Sequence, residues 1–172
     1  MTKRSFTFEF VEEQIRKKSF GTLSTVSPKG RAHSTGMLYG VSPPGSKFYL
    51  YCLTGKIYTK VRNIENNSYV AFVIPFPHYY FRFAPSSCVA FQGTAELVPY
   101  DDQEARKAYG QKRILKMVLK QVKDLDRERK RIFIKIKPNR KIFCYGLGIG
   151  IMKIRKDAAA AAYTVMIPPD RL

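Results

Sequence analysis

Short strand-like segments separated by tight turns are the feature of this sequence that most restricts its fold. Five segments in the first hundred residues combine apolar and β-branched side chains in the manner of half-buried strands. They are Phe20 to Val26, Arg31 to Gly40, Lys47 to Leu53, Tyr69 to Ile74 and Cys88 to Leu97. Turn sequences such as Pro28-Lys29-Gly30 and Pro43-Pro44-Gly45 separate them. Short strands joined by tight turns predict a small antiparallel barrel.

Helical patterns flank these strands. Phe8 to Lys18 has an apolar face with acidic residues early and basic residues late, and a second apolar stripe occupies a basic helix between Arg106 and Lys123. Ile132 to Lys137 and Lys141 to Tyr145 then return to strand alternation and are expected to complete the barrel. We expect one mainly β domain with flanking helices over residues 1–172, with a barrel core at about 19–145. The C-terminal tail at 146–172 contains an alanine tract that favours helix.

The chain carries a large excess of positive charge. Its 31 Lys and Arg residues against 13 Asp and Glu residues give a net charge of +18, and residues 101–157 hold 18 basic and 7 acidic side chains. Such a field attracts anions of any kind, including nucleic acid. The aromatic segment from Pro77 to Phe83 adds rings on which bases stack. No nucleic-acid motif accompanies the charge, so we interpret it as the solvated face of a helix and do not expect nucleic acid as the partner.

A run of hydroxyl and basic residues marks a strand-to-helix junction. The sequence Thr54-Gly55-Lys56-Ile57-Tyr58-Thr59-Lys60-Val61-Arg62-Asn63 follows an apolar strand, and its apolar residues Ile57 and Val61 recur at helical spacing. A helix N-terminus with cations and hydroxyls favours a bound phosphate. The run lacks the glycine spacing of a Walker loop or a dinucleotide-binding loop.

The same run resembles the flavin-binding split-barrel proteins related to pyridoxamine 5'-phosphate oxidase, in which a strand ends in a Thr followed six residues later by a Lys and then by an Asn. Those positions here are Thr54, Lys60 and Asn63. The resemblance extends over 21–34 and 89–98, and so covers about residues 19–100. It implies an antiparallel, Greek-key-like split β-barrel that forms a homodimer, holds FMN at the subunit interface and transfers hydride to or from a small-molecule substrate.

The resemblance also implies a set of cofactor-binding residues. Thr59 and Lys60 would hold the flavin phosphate, and Lys56 and Arg62 would supply further cations. Thr54 would face the ring or the ribityl chain, and His33 and Ser34 would lie on the strand beside the ring. Gln92 would reach the partner's flavin or end an edge strand. Because side chains alternate along a strand, His33 and Ser34 cannot both face the ring. Asn63 is expected to cap or brace the loop.

Departures from the family leave the reaction open. Cys88 stands where the oxidases have a glutamine that meets the flavin, the chain has no Trp, and the C-terminal Arg and His pair that binds substrate phosphate is missing. We therefore do not expect oxidation of pyridoxamine phosphate, and no side chain can be assigned as the catalytic acid or base. A deazaflavin coenzyme is an alternative to FMN, and a non-catalytic flavin-binding, haem-binding or nucleic-acid-binding protein is an alternative to an enzyme.

Three widely separated cysteines and two histidines give no metal-binding or disulfide pattern. No apolar run reaches membrane-spanning length, and the first residues lack a signal-peptide core. The sequence predicts a cytoplasmic protein without a metal site.

Overall fold

A computed structural model describes residues 6–77, 86–121 and 130–172, with the side chain of residue 121 excepted. Its helices are α1 (Phe8–Lys17), α2 (Thr59–Asn66), α3 (Gln103–Tyr109), α4 (Arg113–Gln121) and α5 (Ile151–Lys156). Its strands are β1 (Phe20–Val26), β2 (Ala32–Val41), β3 (Leu50–Gly55), β4 (Tyr69–Phe76), β5 (Ser87–Pro99), β6 (Arg131–Tyr145) and β7 (Ala162–Met166). Short 3-10 turns occupy Ala159–Ala161 and Pro169–Arg171.

The strands form a closed antiparallel barrel. They pair in the order β3-β2-β1-β4-β5-β6-β7, and a further pairing of β3 with β6 closes the first six strands into a ring. All the pairings are antiparallel, and β1 begins and ends at the residues that the sequence pattern indicates. The predicted mainly β barrel with flanking helices is therefore confirmed.

The barrel interior is filled by alternate residues of its strands. Leu23, Phe72 and Ile134 are fully buried within one apolar cluster, onto which α1 packs. A second cluster, around Tyr109 and Phe133, lies between the barrel wall and the helices α3 and α4. Burial of these apolar side chains is the main stabilising term.

The two segments predicted as separate late strands form one long strand, β6. Pro138 lies within it and pairs with Gly93, beside a register shift between β5 and β6. A Cβ at Gly93 would lie 2.1 Å from the carbonyl oxygen of Lys137, so the bulged backbones approach closely only because residue 93 is glycine.

Two other elements differ from the sequence patterns. The helix predicted between Arg106 and Lys123 is two helices as far as residue 121, because α3 is capped at Gly110 and α4 starts again at Arg113. Residues 122 and 123 lie outside the described residues. The predicted tail supplies β7, which pairs with the Lys141–Tyr145 part of β6. The alanine tract forms only a short 3-10 turn before this strand, since the free edge of β6 offers ladder hydrogen bonds to the following residues.

The end of the chain is tied to α1 by an ion-pair cluster. Glu12 is buried, and its Oε1 lies 2.5 Å from a guanidinium nitrogen of Arg16 and 2.8 Å from one of Arg171. Arg171 also donates from Nε to the carbonyl oxygen of Ser46, and its own carbonyl accepts from the amide of Phe48. The last residues therefore hold α1 against the loop that precedes β3.

None of the described helices has the length and apolar character needed to cross a membrane. The cysteines at 52, 88 and 144 are free. In the described ranges, no group of His, Cys, Asp and Glu side chains is placed to hold a metal ion.

Close contact between β2 and α3 gives a first prediction. A Cβ at Gly40 would lie 2.4 Å from Cα of Tyr109 and 2.6 Å from the carbonyl oxygen of Ala108, so the helix would have to move. We expect Gly40→Ala to lower the free energy of unfolding by about 2 kcal/mol. In Gly36→Ala, in the same strand, the added Cβ contacts only the side chain of exposed Phe20. This substitution should change the free energy of unfolding by less than about 0.5 kcal/mol. Urea denaturation that shows equal losses would contradict the close contact.

Candidate functional site

The barrel wall opens between β2 and β3. The two strands pair only from Tyr39 opposite Cys52 to Val41 opposite Leu50, although β2 starts at Ala32 and β3 runs on to Gly55. The early part of β2 therefore pairs with β1 alone, and the end of β3 pairs with β6 alone. Each strand presents backbone donors and acceptors on the side facing the other, and such groups need a partner when they are covered.

Helix α2 begins directly after this opening. Tyr58 precedes the helix with an extended backbone and makes no side-chain capping hydrogen bond. The first amide N–H groups of a helix have no acceptors within the helix, and the helix dipole makes this end positive. Thr59 is exposed on the first turn. Ile57 is 81% exposed and lies before the helix, so the predicted apolar face of the helix is wrong at this residue.

Lys60 is a buried cation at the start of α2. It is 8% exposed, and burial lowers the pKa of its amine. Its ammonium lies 4.7 Å from the centre of the Tyr58 ring, and the Cys52 thiol is a second neighbour. Burial raises the pKa of that thiol, so the thiol is neutral and cannot offset the charge. Within the described parts of the chain, Lys60 has no carboxylate at ion-pair distance.

The inner face of β2 carries polar atoms without partners. Asn63 of α2 donates to the Thr25 hydroxyl over 2.9 Å, and that hydroxyl donates to the carbonyl oxygen of His33 over 3.3 Å, so Asn63 braces the helix against β1 and β2 as expected. Nδ1 of His33 and Oγ1 of Thr35 are buried and have no hydrogen-bond partner within residues 6–77, 86–121 and 130–172. Unpartnered buried polar atoms are costly and are expected to bind water or a ligand.

Ser34 and Gln92 lie on the outer face of the barrel. Ser34 shares a hydrogen bond of 2.8 Å with Ser24, and pairing across β1, β4 and β5 places Ser24, Ala71 and Gln92 in one row. A groove of about 380 Å³ on this face is lined by Ser24, Ala71, Gln92 and Asn139 among others. His33 and Ser34 thus face opposite sides, as strand alternation predicts.

The predicted site residues therefore lie in three places within one chain. Thr54, which is buried on β3, and Lys60 belong to the opening with His33, while Ser34 and Gln92 are on the other face. Lys56, Thr59 and Arg62 are exposed around the start of α2. The roles of all eight residues in cofactor binding stay predictions.

Sequence reasoning missed Thr35 and Tyr58. Thr35 follows His33 by two residues on one strand, so strand alternation places it on the same face as His33. No sequence pattern places the Tyr58 ring on Lys60, because that contact depends on the turn before α2.

Several basic side chains of the second half serve structural contacts. Lys135 and Lys137 form ion pairs with Glu96 and Glu104. Lys112 donates to the carbonyl oxygen of Lys18 at the end of α1, and burial with nearby cations lowers its pKa to about 8. The exposed cations of α4 are Arg113, Lys116 and Lys120. Solvated surface residues therefore account for only part of the excess of basic side chains in the second half of the chain.

The sequence model of the pyridoxamine 5'-phosphate oxidase family matches residues 8–144, from α1 through most of β6. This is well over half of the chain. The chain belongs to that family. No curated protein matches the sequence.

Solved structures share the split-barrel fold at low identity. The haem storage protein HutZ from Vibrio cholerae is 17% identical with a TM-score of 0.61, and the match covers 82% of this chain and 96% of that chain. A putative pyridoxamine 5'-phosphate oxidase from Listeria innocua is 19% identical with a TM-score of 0.57, covering 78% and 94%. An F420 reductase is 20% identical with a TM-score of 0.51, covering 74% and 92%. At these identities the likeness shows the fold alone.

Proposed function

We propose that this member of the pyridoxamine 5'-phosphate oxidase family binds FMN and catalyses hydride transfer to or from a small substrate. The observation that carries the proposal is Lys60, a buried cation at the open N-terminus of α2 that has no counter-charge among the described residues. A buried charge is costly unless an opposite charge compensates it. The phosphate of FMN supplies that charge at the end of a helix where anions are favoured.

The remaining polar groups of the opening fit the rest of FMN. The unpartnered Nδ1 of His33 and Oγ1 of Thr35, with the open edges of β2 and β3, offer donors and acceptors to a planar ring that has polar atoms along one edge. Thr54 adds a hydroxyl beside the ribityl chain. Flavins, when bound, supply the two-electron chemistry, and the protein binds and orients them.

Haem binding is a second candidate function. One structural relative is a haem storage protein, and the buried Nδ1 of His33 has no partner in the described part of the chain. Neutral imidazole is a common axial ligand of haem iron. A deazaflavin coenzyme is the alternative flavin, because a relative is an F420 reductase and the surface is basic.

Spectroscopy separates these candidates. We expect the purified protein to show a flavin absorption band that persists through gel filtration, and the apoprotein to regain it on titration with FMN. Titrations with a deazaflavin coenzyme and with haemin serve as comparisons. Tighter binding of either one than of FMN would overturn the assignment to FMN.

We also propose that the protein is a homodimer, since Ser34 and Gln92 can join the cofactor site only if a second copy brings its outer face to the opening. That face carries apolar side chains from β5 and β6, among them Ala90 and Phe143, and Phe143 is 47% exposed. Large exposed apolar patches are typical of protein interfaces. Residues 78–83 of the aromatic segment noted in the sequence lie outside the described residues.

Sedimentation tests the dimer. We expect a dimer that Phe143→Asp converts to monomer with weaker FMN binding, because the charge would be buried at the interface. Ile114→Asp changes a comparably exposed apolar residue on α4, outside this face, and should leave the dimer intact. A wild-type monomer that retains FMN would contradict the proposal.

A further inference from the structure

Tyr58 lies between the end of β3 and the buried amine of Lys60. Its ring is 54% exposed, and the centre of the ring is 4.7 Å from Nζ of Lys60. The edge of the ring also lies next to Gly55, where a Cβ would be only 3.0 Å from Cε2 of the ring. Such a distance is shorter than an ordinary carbon–carbon contact. A side chain at position 55 would therefore require the ring to shift by a few tenths of an ångström.

The ring affects Lys60 in two ways. The negative face of an aromatic ring attracts an ammonium group and so restricts the rotamers of the lysine. The ring also excludes water from one side of the amine, and an interaction with an anion is stronger where water is excluded. Neither effect neutralises the amine, because the ring carries no net charge. The amine therefore still needs an anion and is held in place to receive it.

We propose that Tyr58 is a specificity-determining residue, which positions and desolvates Lys60 so that the site selects phosphorylated flavins over flavins without phosphate. The inference rests on the proposed FMN site. Riboflavin has the same ring and ribityl chain as FMN and lacks only the phosphate, so it makes no use of Lys60. The preference for FMN over riboflavin measures this contact separately from the rest of the pocket.

The test is titration of the apoprotein with FMN and with riboflavin, in wild type and in Tyr58→Leu, Tyr58→Phe and Lys60→Met. Tyr58→Leu should weaken FMN binding about three- to tenfold, the range of a partly desolvated cation–π contact, and leave riboflavin binding unchanged. Tyr58→Phe keeps the ring and should retain the wild-type preference. Lys60→Met should remove most of the preference.

Salt dependence provides a second test of the ring. Salt should weaken FMN binding more steeply in Tyr58→Leu than in wild type, because water then reaches the amine and exposed charges are screened more strongly.

The possible outcomes are distinct. Unchanged or tighter FMN binding in Tyr58→Leu would overturn the inference, because the ring would then be neutral or a competitor for the amine. Equal weakening of FMN and riboflavin would also overturn it, since that is the effect of a general structural role. Wild-type apoprotein that binds neither flavin would instead reject the proposed function, and this inference with it.

Discussion

Replacing Lys60 with methionine is expected to weaken FMN binding about ten- to a hundredfold. One charge-assisted contact with a phosphate contributes about 1.5 to 3 kcal/mol, which corresponds to that range of affinity. Methionine has nearly the volume of the lysine stem, so the change removes the charge without leaving a large cavity. Fluorescence titration of the apoprotein measures the effect.

The same substitution should raise the stability of the apoprotein slightly. Because burial lowers the pKa of Lys60, its charged form is less favourable in the folded than in the unfolded chain at neutral pH, and methionine removes that cost. A residue that lowers stability and raises affinity is the expected signature of a binding site. Denaturation of the apoprotein that shows Lys60→Met to be clearly less stable than wild type would indicate a structural role instead.

Lys116→Met is the matched control for charge. Lys116 is exposed on α4, so its removal changes the net charge by the same amount without touching the opening between β2 and β3. We expect its FMN affinity to equal that of wild type. Equal weakening in both variants would mean that the field of the whole protein attracts FMN and that Lys60 makes no direct contact.

Local patterns in the sequence predicted the barrel because its strands are half-buried and alternate. Leu23 and Thr25 are buried and Ser24 between them faces out, which is the alternation expected of the half-buried strand predicted at Phe20 to Val26. The continuity of β6 could not be predicted, since Pro138 indicates a break and is accommodated only by the bulge opposite Gly93. Strand β7 follows an alanine tract and forms because the edge of β6 is available.

The candidate site was predictable to a similar extent. The spacing of Thr54, Lys60 and Asn63 indicated the junction of β3 and α2, and alternation indicated that only one of His33 and Ser34 faces inward. Which of the two faces inward depends on how β2 is placed in the barrel. The burial of Lys60 and its contact with Tyr58 are tertiary features, and no local pattern of sequence determines them.

The second large effect is expected at Glu12, which binds two arginines in the buried cluster that anchors the C-terminus. Glu12→Ala leaves the largely buried guanidinium groups of Arg16 and Arg171 without their shared carboxylate. Breaking a buried ion pair from one side is strongly destabilising because the remaining charge stays uncompensated. We expect the free energy of unfolding to fall by about 3 kcal/mol, measured by urea denaturation.

Glu13→Ala is the control, because it makes the same change at the next position of α1. Glu13 pairs with Lys17 over 2.7 Å, also four residues apart, but both side chains are exposed. Exposed pairs of this kind contribute about 0.3 to 0.5 kcal/mol, so the expected loss is several times smaller than at Glu12. Both variants gain the same helix propensity from alanine, and the difference between them therefore isolates the buried cluster. If the two losses were equal, the contact between Arg171 and Glu12 would contribute nothing to stability, and the last residues would not hold α1 in place.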